Sequence, residues 1–159
     1  MKRRFLLTLS LAALLLAAAS CVGLDTLRKL QVGSPRVTSL QLPTFTNRSF
    51  GVVLDVPVQN PSAYLRIHEI SGVIRSGQTP MLNFTADPIE IAAKSSRNYP
   101  VNLRMTPAPE VTLFAVISAL KSFNPKEYVC DVTFRLSPGP KGEGQLYTLK
   151  DQPLEKFFK

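Results

Sequence analysis

Apolar and polar residues alternate along much of the chain. In residues 48–59, Phe50, Val52, Leu54, Val56 and Val58 fall on one side of an extended backbone, and Gly51, Val53, Asp55, Pro57 and Gln59 on the other. Five apolar residues at a period of two predict a half-buried β-strand, because successive side chains of a strand point to opposite faces. Pro57 has no N–H to give to a ladder, so this end of the strand is predicted to be an edge or a bulge. Asn60-Pro61-Ser62 then breaks it.

The pattern recurs. Leu65 and Ile67, then Ile70 and Ile74, mark one longer strand whose phase slips near residues 69–72. Met81, Leu82 and Phe84 predict a short strand, and Ile89 and Ile91 another. Val101, Leu103 and Met105 alternate with polar neighbours, as do Tyr128, Cys130, Val132, Phe134 and Leu136, and a last strand covers residues 146–149. Seven or eight strands separated by Pro, Gly, Asn and Ser predict an all-β sandwich over residues 35–159. One segment departs from period two. Between about 107 and 123, Leu113, Val116, Ile117 and Leu120 recur at helical spacing. Thr106 is placed to cap this helix, Pro107 suits its first position, and Asn124-Pro125 ends it. It joins two strands and closes one end of the sandwich.

The first twenty residues have a different character. Lys2, Arg3 and Arg4 precede a run without charge over residues 5–19. That run is short of the ~20 residues a membrane-spanning helix takes, and has the form of a secretory signal. Ala18-Ala19-Ser20-Cys21 resembles a bacterial lipobox, in which cleavage between Ser20 and Cys21 leaves a lipidated cysteine as the first residue. The chemistry needs a thiol, because a thioether is the stable bond on which a diacylglycerol is mounted. Two or three acyl chains anchor stably where one does not. The expected organisation is thus a signal peptide over 1–20, a lipidated tether over 21–34 and the sandwich. Val22, with no acidic run after it, gives no inner-membrane retention signal, so the expected location is the outer membrane of the cell envelope, facing the periplasm. Leu24, Leu27 and Leu30 in the tether allow one or two turns of amphipathic helix lying on the membrane; the plainer reading is an irregular linker whose leucines touch the domain.

Composition narrows the chemistry. Without residues 1–20, sixteen Lys and Arg stand against eleven Asp and Glu, a formal charge of +5 spread thinly along 139 residues. That basic balance suits a mild attraction to anionic lipid or polysaccharide, or simply a solvated surface; nucleic acid is not an expected partner. With Cys21 lipidated, Cys130 has no disulfide partner, and its position on the inward face with Val132 and Phe134 makes it a buried, inert thiol. The chain has one histidine, His68, placed beside Glu69 on a strand surface. No metal-ligand spacing, Gly-x-Ser-x-Gly elbow or Gly-rich phosphate loop accompanies it, so no metal, cofactor or catalytic residue is expected. Gly139, Gly142 and Gly144 read as a hairpin loop.

Asp55-Val56-Pro57-Val58-Gln59-Asn60-Pro61-Ser62 is similar to the strand ending in Asn-Pro of the second late-embryogenesis-abundant subgroup, the water-stress and hypersensitive-response domains. Ile91-Ala92-Ala93-Lys94-Ser95-Ser96 resembles the family's apolar-small-Ser-Ser stretch, and the resemblance covers residues 37–149. It implies an immunoglobulin or fibronectin type III-like β-sandwich with one helix, a structural role for Asn60 and Pro61, and a non-enzymatic protein associated with stress. The apolar content excludes the disordered behaviour of other late-embryogenesis proteins. Two functions follow as expectations. One is an anchored accessory module that binds another envelope protein, through a strand edge near Pro57. The other is a small periplasmic binding protein for a lipid or other apolar ligand.

Overall fold

The computed structural model describes residues 24–33, 35–44, 46–141 and 144–155. The signal segment, Ser20 and Cys21 lie outside these residues. The chain forms α1 (Leu24–Arg28), β1 (Gln31–Val32), β2 (Arg36–Gln41), β3 (Phe50–Asn60), β4 (Leu65–Ser76), β5 (Thr79–Ala86), β6 (Ile89–Ile91) and β7 (Ser95–Pro107). Then follow α2 (Leu113–Lys121), a 3₁₀ turn (Pro125–Glu127), β8 (Tyr128–Ser137) and β9 (Gln145–Pro153). The strands make one antiparallel sheet in the order β1-β3-β7-β5-β4-β8-β9, with β2 also on β3 and β6 also on β4. The sheet curls into a sandwich. Leu54, Val56 and Val101 from β3 and β7 meet Ile67, Val132 and Phe134 from β4 and β8 in one core. The protein is all-β with short helices.

The two ends of the sandwich differ. At the entry end, β3 finishes at Asn60, β4 starts at Leu65, β7 starts at Ser95 and β8 finishes at Ser137. The far end carries Phe50, the β4–β5 turn and α2, over a second core of Phe50, Leu82, Ala108, Val111 and Val116.

Strand phases match the alternation. Along β3, Phe50, Leu54, Val56 and Val58 are buried; along β8, Cys130, Val132, Phe134 and Leu136 are. The slip expected in β4 is a break in register between His68 and Ser71, where Glu69 takes a positive φ of 51°. Gly72 follows it, and a Cβ there would lie 2.4 Å from the Asp131 carbonyl oxygen and from the Phe84 ring, so only glycine lets these strands close.

Four expectations need correction. β3 is not an edge: β7 pairs with its whole length. Pro57 instead falls in the gap between β1 and β2 on the other side, where its carbonyl accepts from Gly33 N–H at 2.8 Å. Its missing donor faces the same gap and breaks no ladder bond. α2 starts at Leu113, not 107. Pro107 ends β7 opposite Leu82, Thr106 shares a hydrogen bond with Ser49 at 3.2 Å, and the cap is Thr112, which accepts from Ala115 N–H. Pairing and burial of Ala108 and Val111 outweigh the Thr-Pro start signal. On α2, Val116 is buried and Leu113 half-buried, while Ile117 faces outward; the Leu120 side chain lies outside the described set. The tether leucines do touch the domain, Leu27 being buried in the main core and so not available to a membrane, but the segment is not irregular: it forms α1 and then β1, paired with Val58 and Gln59. His68 is the fourth, described below.

An ion-pair rung ties three strands near the far end. Arg75 on β4 donates to both carboxylate oxygens of Asp131 on β8, at 3.1 and 3.2 Å, and to Asp151 on β9 at 2.5 Å. Hydrogen bonds from Arg75 and from the Asp151 N–H hold the Asp131 carboxyl below the usual carboxylate range. A carboxyl with a depressed folded value stabilises above its unfolded pKa of about 3.9 and loses that contribution as pH falls through the folded value. Asp131→Asn is therefore expected to flatten the acid limb of a plot of melting temperature against pH below about pH 4. An acid limb as steep as that of the unaltered protein would show that the rung does not couple to folding.

Candidate functional site

Asn60 is the buried centre of the entry end, 1% exposed. Its amide N–H₂ donates to the carbonyls of Ala63 at 2.8 Å and Ala92 at 2.9 Å, and its oxygen accepts from Ser62 N–H at 2.9 Å. One side chain thus clasps the β3–β4 turn to the β6–β7 turn. Only an amide does this, because it presents two donors and an acceptor on one short stem. Lys94 N–H donates to Ser62 at 2.9 Å, Ser95 Oγ to Ala92 at 2.7 Å, and Ala92 N–H to Tyr99 Oη at 3.0 Å. Pro61 follows the clasp residue and ends the strand. The Asn-Pro dipeptide was visible in the sequence; its partners are backbone groups that no sequence pattern marks.

His68 is not on a surface. In the ladder it stands opposite Arg135, one residue along from the core-facing Ile67, yet it is only 6% exposed. Its Nε2 lies 2.8 Å from Ser137 Oγ, a buried link between β4 and the end of β8. The separation is that of a nucleophile and its base. Ser137 is only 1% exposed, however, and lines none of the three described hollows. The Glu69 carboxylate stands 3.8 Å from Nδ1, beyond a hydrogen bond, and its other oxygen accepts from Arg135 at 2.8 Å. His68→Ala removes a buried hydrogen bond and leaves a cavity, so a loss of about 1–3 kcal/mol is expected in a urea titration. A loss below about 0.5 kcal/mol would put the ring back among surface groups.

Cys130 is free and buried, and burial pushes its thiol up to about 12. At that value almost no thiolate forms near neutral pH.

The described hollows are on the surface. The largest, about 610 Å³, lies on the outer face of β3 and β7, where Gly51 leaves a gap beside Gln41, Asn102 and Arg104. Two smaller ones, of about 450 and 430 Å³, adjoin at the entry end and share Gln31, Gln59 and Ser96. Arg97 lines the first and Lys94 the second. These two cations were read in the sequence only as part of a dispersed charge. At the far end, Phe114 on α2 is 79% exposed and Ile117 is 42% exposed on the same helix face. Among the described residues, no group of three His, Cys, Asp or Glu side chains is placed to hold a metal ion. No described helix is long and apolar enough to cross a membrane.

No protein-family model matches the sequence, and no curated protein matches it significantly. Among solved structures, the chain is similar to one described as "Crystal structure of protein from Archaeoglobus fulgidus", at 10% identity and a TM-score of 0.44, over 76% of this chain and 94% of that one.

Proposed function

We propose that the chain is a lipid-anchored, non-enzymatic module of the bacterial envelope that binds another envelope protein. The observation that carries this reading is placement. The chain enters the core at Leu27, six residues after Cys21, so an anchor on that thiol sets the entry end against the membrane. The solvent-facing Phe114 and Ile117 on α2 then sit at the opposite end, turned toward whatever the module meets. β3 is 11 residues long, which at about 3.3 Å per residue separates the two ends by roughly 35 Å. A ligand held between the sheets fits less well, because Phe134, Val56, Val101 and Val132 fill that space. The resemblance to water-stress domains supports an accessory role in stress.

Cys21→Ser tests the anchor. The variant is expected to lose its diacylglycerol mass and to leave the membrane fraction after a high-salt wash. Retention of the variant in washed membranes would overturn the reading.

A further inference from the structure

We propose that the entry end is a docking surface for an anionic phospholipid bilayer, with headgroup phosphates seated in the adjoining hollows beside Lys94 and Arg97. The inference rests on the anchored reading for its biological setting, but its geometry is independent of it.

Exposed cations at this end include Lys29 after α1, Lys94 in the β6–β7 turn, Arg97 at the start of β7 and Lys141 in the β8–β9 loop. None has a carboxylate within 4.0 Å among the described residues. Glu69 is already engaged by Arg135, and Glu90 stands 3.9 Å from Arg66. The cations come from four separate segments, so the fold and not a basic run in the sequence assembles them. A patch of this kind attracts an anionic leaflet, each Lys or Arg near the surface strengthening binding by about fivefold.

The turn that presents Lys94 supplies a second observation. Lys94 has a φ of +44°, one of three non-glycine residues in the left-handed region among the described residues. Glycine or asparagine meets that backbone requirement at lower cost. The conformation is held by the Lys94 N–H bond to Ser62 and by the Asn60 amide on Ala92. The Asn60 clasp therefore holds a strained turn whose side chain is a cation that the backbone does not need. Beside it, the Ser96 hydroxyl and the Gln31 and Gln59 amides line the floor of the hollows, which suits the oxygens of a phosphate diester.

Reach is consistent with the assignment. The six residue steps from Cys21 to Leu27 span at most about 20 Å when extended, so an anchor keeps this face against the headgroups.

The test uses residues 21–159 with Cys21→Ser, which contain both described core clusters and cannot carry the anchor. Binding is measured by sedimentation with vesicles of phosphatidylcholine alone and of phosphatidylcholine with 30% phosphatidylglycerol. At low salt the protein is expected to bind the anionic vesicles at least tenfold more tightly than the neutral ones. The Lys94→Gln/Arg97→Gln protein is expected to lose about tenfold or more of that affinity, and Lys29→Gln/Lys141→Gln a comparable amount. Lys121→Gln/Lys126→Gln, at the far end, is expected to bind unchanged. Each variant is first checked for an unaltered far-ultraviolet spectrum and melting temperature; if the Lys94 pair fails that check, the Lys29 pair decides. Equal binding to both vesicle types, or an equal loss in the far-end variant, would overturn the proposal. Because the anchor is absent from every protein used, these outcomes are separate from whether Cys21 is lipidated.

Discussion

Val132→Asp is expected to leave little folded protein at 25 °C. Val132 is 1% exposed on β8, opposite Gly72 of β4 and Leu149 of β9, with Phe134 two residues along on the same face. An aspartate there either buries an unpaired charge or takes up a proton, and in both cases the apolar contacts of the valine are lost. The expected cost is about 4 kcal/mol or more, a large part of the stability of a domain of this size. Leu54→Asp, on the facing strand β3, is expected to behave in the same way. Asp55→Asn and Arg135→Gln are the matched controls, one position along from Leu54 and three from Val132. Asp55 only accepts from Asn98 at the surface, and Arg135 pairs with the exposed Glu69, so about 0.5 kcal/mol is expected for each. Guanidinium titration of the four proteins separates the pairs. Similar midpoints throughout would mean that the inward faces are wrongly placed.

Asn60→Leu is the second large effect. Leucine has asparagine's branching but a larger volume and none of its three hydrogen bonds, so the Ala63 and Ala92 carbonyls and the Ser62 N–H lose their partner in a buried setting. At about 1 kcal/mol or more for each stranded group, a loss of roughly 3 kcal/mol is expected. Asn60→Asp is a sharper probe, since it keeps the acceptor for Ser62 but sets a carboxylate against two carbonyls. It is expected to be at least as destabilising at pH 7 and to recover in part as the pH is lowered and the carboxyl takes up a proton. A loss under about 1 kcal/mol for Asn60→Leu, measured by urea titration, would remove the clasp from the account of the fold.

What could be read from the sequence follows from which side chains face a core. The strands with one buried face, β3 and β8, announced themselves and their phase, because burial imposes the period of two. The slip in β4 was visible too, as Ile67 and Ile70 fall out of step. The burial of His68 was not: its partner Ser137 lies 69 residues further along, and nothing in the sequence marks the contact. β2 was missed because all six of its residues are exposed and a register shift separates Val37 from Ser39, which removes the alternation. The helix was found but begun six residues early, since Thr106-Pro107 carries a start signal that pairing with β5 overrides. For the candidate sites, Asn60 was readable only as half of a dipeptide, and Cys21 lies outside the described residues. The cations of the entry end were unreadable as a group, because contacts between segments far apart in the chain bring them together.

The pairing of β3 with β7 has a kinetic consequence. Eleven residue pairs, from Phe50 with Met105 to Asn60 with Ser95, join segments that the whole of β4, β5 and β6 separates along the chain. The hairpin β4–β5 closes across a two-residue turn and β8–β9 across a local loop, so both are free to form early, but β3 must wait for β7 to be made and then search for it. Closing such long loops before any ladder bond forms slows folding into the millisecond-to-second range of sandwich topologies. Until then β3 displays an open backbone edge and a row of valines and leucine on one side. A nascent chain ending before residue 95 is therefore the form of this protein most prone to pair with a neighbour instead of with itself.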